Sequence, residues 1–198
     1  MSHYFDEQPA PRSDRRAVDL DLGDVRFTLF TDHGVFSHGT LDTGTRLLLE
    51  RAPPAPTHGE LADIGCGTGA IALAMALRSP AATVWAIDVN ERARDLTKAN
   101  AEHNGVGNIH VVGPGDVPPD VRFDVIWSNP PIRIGKPALH QLLITWLSRL
   151  NPDGMATLVV QRNLGADSLH RWLEASGWPT DRLSSSKGFR VLQVTSRS

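Results

Sequence analysis

The chain has 198 residues, of which 40% are hydrophobic and 21% charged, with a net charge of −2; this is ordinary globular composition, long enough for one domain with its own core and at odds with extensive disorder. The N-terminus, MSHYFDEQPAPRSDRR, is polar and lacks the apolar centre of a signal peptide, and no apolar run approaches the roughly 20 residues needed to span a bilayer. Cys66 is the only cysteine, which excludes an intramolecular disulfide and fits a reducing cytoplasm.

In chain order, residues 1–16 read as a disordered tail. AVDLDLGDVRFTLFT then alternates around Gly23-Asp24, a hairpin signal, and GVFSHGTLDTGTRLLLE ends in a helix-like apolar run. Residues 17–52 are too few to bury a core alone, so this hairpin and helix are expected to pack on the main body as a lid or platform. The linker RAPPAPTHGE follows, and from residue 59 to 198 the pattern is regular. ELADIG reads as a strand, AIALAMALRS as a helix, TVWAID as a strand, and RARDLTKANAEHNG as a helix stopped by Asn104-Gly105. IHVVG and FDVIWS read as strands, ALHQLLITWLSRL as a helix closed by NPDG, ATLVVQ as a strand and ADSLHRWLEASG as a helix. The last two strands, DRLSSS and RVLQVTS, have only SKGF between them, too short for a crossover, so they should pair as an antiparallel hairpin. Short apolar strands alternating with helices predict an α/β fold: a mostly parallel sheet with helices on both faces.

The first strand passes into the first helix through Asp63-Ile64-Gly65-Cys66-Gly67-Thr68-Gly69. Glycines there let the backbone turn tightly and approach a ligand, and the helix N-terminus presents free amide donors. Asp88 ends the second strand, where a carboxylate can accept both hydroxyls of an adenosine ribose. Gly65, Gly67 and Ala70 also satisfy the dinucleotide fingerprint, so the loop alone leaves a nicotinamide enzyme open. Asp63 tilts the choice, because a carboxylate beside the loop opposes a pyrophosphate and favours the ammonium of a methionine-type cofactor. Asp116, after the third strand, is a candidate acceptor for an adenine amine or a turn cap. Cys66 reads as a small packing residue within the loop rather than a nucleophile.

At the end of the fourth strand stands SNPPIRIGK. Open parallel sheets bind ligands outside the carboxyl ends of their strands. Pro130 and Pro131 have fixed φ and no N–H, so they stiffen the loop and leave carbonyls without competing neighbouring donors. The Asn129 side-chain oxygen and a backbone carbonyl can then accept both hydrogens of one NH2 group and leave its lone pair free to attack an activated methyl. Asn-Pro also opens ordinary turns; the coincidence with the glycine loop and Asp88 is what favours the amine clamp.

These residues resemble class I S-adenosylmethionine-dependent methyltransferases: DIGCGTG their first motif, AIDVN their second, GD their third, and SNPP the fourth motif of the amino-group methylating branch. GVFSHGTLDTGTRLLL, DIGCGTG, SNPPIRIGKPALHQLL and GFRVL together are similar to the small-domain family of ribosomal RNA guanine-N2 methyltransferases and its single-domain prokaryotic relatives, from about residue 34 to 192. The resemblance implies a Rossmann-like fold with a seven-stranded sheet and S-adenosylmethionine as cofactor. It implies a cofactor site of Asp63, Gly65, Cys66, Gly67, Gly69, Asp88, Val89, Asp116 and Asn129, and a catalytic loop of Asn129, Pro130 and Pro131. Val35-Phe36-Ser37 and Leu41-Asp42-Thr43-Gly44 are placed near the cofactor pocket, where Phe36 covers the cofactor or staples the following helix. The substrate implied is an exocyclic amine, guanine N2 of ribosomal or other RNA, methylated in the cytoplasm. The alternatives are a protein glutamine amide, a non-catalytic S-adenosylmethionine- or RNA-binding domain and, more distantly, a nicotinamide oxidoreductase; monomer and homodimer both stay open. Two features depart from the pattern. Ile132 stands where many amino methyltransferases carry an aromatic residue to stack on a flipped base. The larger ribosomal RNA enzymes also carry an additional N-terminal domain, for which 198 residues leave no room.

Charge is unevenly distributed: residues 1–128 hold 11 Lys/Arg and 18 Asp/Glu, residues 129–198 hold 9 and 4. If the basic part forms one surface, it suits a polyanion, with Ile132, Arg133 and Lys136 as the substrate-binding residues beside the motif and Lys187 and Arg190 as further phosphate contacts. The eight histidines lack paired ligand spacing, so no metal site is expected. Trp85, Trp127, Trp146 and Trp172 fall in apolar patterns and read as core.

Overall fold

The computed structural model describes residues 15–32 and 40–197. Val35, Phe36 and Ser37, and most of the expected tail, lie outside the described residues. The chain opens with a two-stranded antiparallel ribbon, β1 (Arg16–Asp21) and β2 (Arg26–Thr31), turned at Gly23, followed by α1 (Thr43–Arg51). Then come β3 (His58–Ile64), α2 (Ala70–Arg78), β4 (Ala81–Ile87), α3 (Glu91–His103), β5 (Ile109–Val112), β6 (Phe123–Ser128), α4 (Lys136–Leu147), β7 (Leu150–Gln161), α5 (Ala166–Ala175), β8 (Thr180–Ser186) and β9 (Phe189–Thr195).

Strands β3 to β9 form a seven-stranded sheet in the order β5-β4-β3-β6-β7-β9-β8. The pairs β4–β5, β3–β4, β3–β6 and β6–β7 are parallel, and β9 inserts antiparallel between β7 and β8. The sheet is the seven-stranded Rossmann-like type that the family resemblance implies, with the expected antiparallel hairpin at its C-terminal end. Alternation along the strands sends Leu61, Val125 and Trp127 into a core under α1, α2 and the ribbon, and Ala62, Ile64 and Ile126 into a second core under α4 and α5. The chain leaves β3 towards β4 on one side and returns to β6 on the other, so strand order reverses between β3 and β6 and a crevice opens at their carboxyl ends. Ser128 Oγ donates to Ile64 O at 2.6 Å, which locks the two strand ends together.

Three local readings are corrected. NPDG, read as the turn closing α4, belongs to β7: Phe123 pairs with Leu150 and Val125 with Met155, so the intervening residues are extruded as a bulge, and Asn151 Nδ2 bonds Asp124 Oδ1 at 2.6 Å. Helix α4 begins at Lys136 rather than Ala138, because Pro137 is tolerated in a first turn where N–H groups have no intrahelical partner. It ends at Leu147, where Ser148 and Arg149 turn the chain into β7.

The ribbon is held by helix α3. Asn100 donates to Phe30 O at 2.9 Å and accepts from Phe30 N at 2.8 Å; Asn104, one turn on, does the same to Thr28 O and N at 2.8 and 3.0 Å. Phe27 and Leu29 on the alternate positions of β2 are buried in the core under α2.

Candidate active site at the carboxyl edge of the sheet

The β3–α2 loop is built from three positive-φ glycines: Gly65 at +77°, Gly67 at +55° and Gly69 at +82°. Its amides Gly65 N and Cys66 N bond Ile87 O at the end of β4, at 2.8 and 3.1 Å. On its outer side α3 receives its carbonyls: Thr97 Oγ1 donates to Gly67 O and Asn100 Nδ2 to Thr68 O, at 3.1 and 2.8 Å. Asp88 lies directly after β4; Oδ2 accepts from Gly67 N and Oδ1 from Asn90 N, both at 2.9 Å. Each carboxylate oxygen keeps a second lone pair, so Asp88 can still accept a pair of hydroxyls.

The loop after β6 faces this one, and the Cβ that Gly65 lacks would sit 3.9 Å from Pro131 Cδ. Pro131 has φ −73° and ψ 78°, the geometry of an inverse γ-turn, and Ile132 N accordingly donates to Pro130 O at 2.8 Å. This corrects the expectation of a carbonyl without competing donors; Pro130 O retains one lone pair for a ligand. Asn129 Nδ2 donates to Asp42 Oδ2 at 2.9 Å and to Thr45 Oγ1 at 3.1 Å. An amide hydrogen bond to a carboxylate is worth about 1.5–3 kcal/mol, enough to hold the amide one way round.

Between the loops lies a cleft of about 650 Å³ that gathers Gly65, Cys66, Gly67, Asp88, Val89, Asn129, Pro130, Pro131, Ile132 and Arg133. Four of the cofactor- and substrate-binding residues expected from the sequence do not line it. Asp63 is fully buried beneath the loop, where Oδ2 accepts from Ala72 N at 3.0 Å and anchors the first turn of α2, and Oδ1 has no partner among the described residues. Gly69 is turned towards Thr97. Asp116 is exposed and caps its own turn, accepting from Gly113 N at 3.1 Å. Lys136 lines a smaller adjoining cavity of about 130 Å³ with His140 and Ser168. Cys66 is almost buried, and burial, with Asp63 nearby, pushes its thiol well above the ordinary range, so it is no thiolate nucleophile.

Asp42, which the family resemblance places near the pocket, lines the cleft together with residues that the sequence did not assign to it. Asp42 and Thr45 come from the start of α1, Gln161 and Leu164 from the end of β7, and Phe189 from the start of β9. The segment LDTG carried a signal, since Asp42 followed by Thr45 is a helix N-cap pattern, and Asp42 Oδ2 does cap α1 by accepting from Thr45 N at 2.9 Å. Phe189 stands in GFRVL, a segment that carries the family resemblance, but nothing there placed it at the cleft; its ring rests where Gly44 lacks a side chain, a Cβ there lying 2.8 Å from Phe189 Cε1 and 3.0 Å from Asp42 Oδ2.

Comparison with known proteins gives the chain its family. Residues 26–193 match the family model of the methyltransferase small domain. The chain belongs to that family. It is therefore an S-adenosylmethionine-dependent methyltransferase, and S-adenosylmethionine is its cofactor. The chain is 33% identical over 195 residues to the uncharacterized protein YbxB of Bacillus subtilis, covering 97% of each. It is 34% identical to ribosomal RNA small subunit methyltransferase C of Pseudoalteromonas translucida over 77% of this chain and 44% of that one. Among solved structures it is similar to the T. thermophilus 16S rRNA N2 G1207 methyltransferase RsmC in complex with AdoMet and guanosine, with a TM-score of 0.81 and 25% identity over 96% of this chain and 52% of that one. The chain thus spans about half the length of the ribosomal RNA methyltransferases it matches.

The residues of the cleft fit the cofactor. The glycine loop leaves room for a ligand against the backbone, Asp88 keeps acceptors for a ribose, and Ile64, Ile87 and Val89 supply apolar walls. Among the described residues no helix is long and apolar enough to cross a membrane.

Proposed function

We propose that this methyltransferase acts on an exocyclic amine of RNA in the cytoplasm, with guanine N2 of ribosomal RNA as its target. The observation that carries the reading is the orientation of Asn129. Both hydrogens of its amide nitrogen are occupied by Asp42 and Thr45, and among the described residues its oxygen has no hydrogen-bond donor, in a side chain that lines the cleft. Bound S-adenosylmethionine supplies a methyl group activated by its sulfonium. Asn129 Oδ1 and the remaining lone pair of Pro130 O accept the two hydrogens of the incoming amine and hold its nitrogen lone pair out of conjugation. The proton lost after methylation passes to water, so no strong base is required.

Two further observations support a nucleobase. Phe189 places an aromatic ring on the cleft from β9, which compensates for Ile132 at the position where many relatives of this branch stack a base. Arg133 adds a cation at the mouth. The names of the RNA-methylating relatives point the same way.

The test is transfer of radiolabelled methyl into total RNA and protein from cells lacking this gene. Label enters RNA with the wild-type protein. Asn129→Ala abolishes it while cofactor affinity by calorimetry stays within a few-fold; unchanged labelling would remove Asn129 from this role. Label in protein rather than RNA would replace a base amine with a glutamine amide.

A further inference from the structure

We propose that Asp42 is the positioning residue for methyl transfer: it sets which end of the Asn129 amide faces the substrate amine. The proposal rests on the reading of Asn129 as an amine acceptor and adds what makes it one. An asparagine side chain has two ends of nearly equal shape and opposite hydrogen-bonding character. Presented oxygen first, it accepts the substrate NH2; presented nitrogen first, it sets donor against donor. Pro130 and Pro131 stiffen the backbone but leave this choice of side-chain flip untouched.

Asp42 makes the choice because an ionised carboxylate only accepts. Its Oδ2 lies 2.9 Å from Asn129 Nδ2, and an amide turned the other way would set two acceptor oxygens against each other with no hydrogen between them. Asp42 is itself fixed. The same oxygen accepts from Thr45 N at 2.9 Å, and the helix so capped is anchored by the buried Leu47, Leu48 and Leu49. Thr45 Oγ1 takes the second amide hydrogen at 3.1 Å, so neither is available to the cleft. The Cβ that Gly44 lacks would stand 3.0 Å from Asp42 Oδ2, which shows how closely the backbone passes the contact. The N-terminal segment is thus a brace for the catalytic loop, reaching it across 87 residues of sequence. A negative charge one hydrogen bond behind the amide also polarises it and strengthens its oxygen as an acceptor.

The experiment compares Asp42→Ser, Asp42→Asn, Asn129→Ala and the double variant Asp42→Ser/Asn129→Ala in the full chain. Serine still caps the helix but is too short to reach Asn129; asparagine can still offer one oxygen to both N–H groups. In Asp42→Ser the Asn129 side-chain amide loses its hydrogen-exchange protection in nitrogen-15 NMR spectra. The methyl-transfer rate to total RNA from cells lacking the gene falls by ~100-fold, as expected for a misplaced reacting group. Cofactor affinity and KM stay within a few-fold, and Asp42→Asn keeps most of the rate. Against Asn129→Ala, Asp42→Ser costs nothing further, since it acts through Asn129 alone. Retention of rate by Asp42→Ser beside an inactive Asn129→Ala overturns the proposal while leaving the amine-acceptor reading standing. An equal further loss in the double variant does the same. A wild-type rate for Asn129→Ala overturns the reading itself.

Discussion

A carboxyl group sealed beneath the glycine loop must either hold a proton or bear an uncompensated charge. Asp63 is in that position, with one oxygen bonded to Ala72 N and the other unpartnered among the described residues. Burial, with a smaller contribution from the Asp88 carboxylate, pushes its pKa up to about 8 from 3.8. The folded chain then keeps a proton that the unfolded chain releases, so stability is full below about pH 4, declines as pH rises, and levels off above about pH 8. Asp63→Asn retains an oxygen for Ala72 N and removes the titration. Its urea midpoint is expected to lack the decline between pH 4 and 8 that costs the wild type on the order of a few kcal/mol; matching slopes would refute the assignment. The sequence places Asp63 at a strand end but cannot tell whether its side chain faces ligand or core, because a sheet covered on both faces leaves no polar side to reveal the phase. Asn129 was legible, since two prolines and a strand end mark it within a few residues. Asp42 was placed near the pocket, but its pairing with Asn129, and the part of Thr45 in it, were not legible, because a contact between distant segments leaves no local pattern.

Elements were legible wherever one period dominates. The strands and helices from β3 to α3 follow the apolar spacing closely, and the turn between β8 and β9 tightens to two residues, Lys187 and Gly188, both at positive φ. NPDG misled because turn chemistry is local, whereas Leu150 and Met155 on either side both find partners on β6. The loop between β3 and α2 makes a sharper demand than its glycine count suggests. Gly69 sits at φ +82°, and a Cβ there would fall 2.7 Å from Thr97 Cγ2, on the side chain that holds Gly67 O. Gly69→Ala is expected to cost ~1–3 kcal/mol in chemical denaturation and to weaken S-adenosylmethionine binding in calorimetry, because relieving the clash moves Thr97 away from the loop. Wild-type stability and affinity together would mean that the helix start relaxes freely.

Over the whole molecule, part of the basic excess of residues 129–198 is engaged within the fold. Arg182 and Arg190 both pair with Asp167, Arg149 lies over Trp146 and Arg197 over Trp178. Among the described residues Arg133, Lys136, Arg162, Arg171 and Lys187 enter no such pairing; Arg171 lies on α5, and the other four follow β6, follow β7 or sit between β8 and β9 at the carboxyl edge. Arg162 N bonds Gly188 O at 2.8 Å, which brings the end of β7 beside the β8–β9 turn. If the proposed RNA substrate holds, Arg162→Ala/Lys187→Ala weakens ribosomal RNA binding and lowers the slope of log affinity against log salt by roughly one to two, measured by fluorescence anisotropy across a salt series. An unchanged slope would move the RNA path off this edge. The asparagine pair on α3 has a consequence of another kind. A two-stranded ribbon offers open edges on which a stray chain can extend the sheet, the usual start of aggregation. Asn100 and Asn104 each give a peptide of β2 the donor and acceptor that a third strand would bring, so this edge is closed by a helix that cannot itself be extended into a fibre.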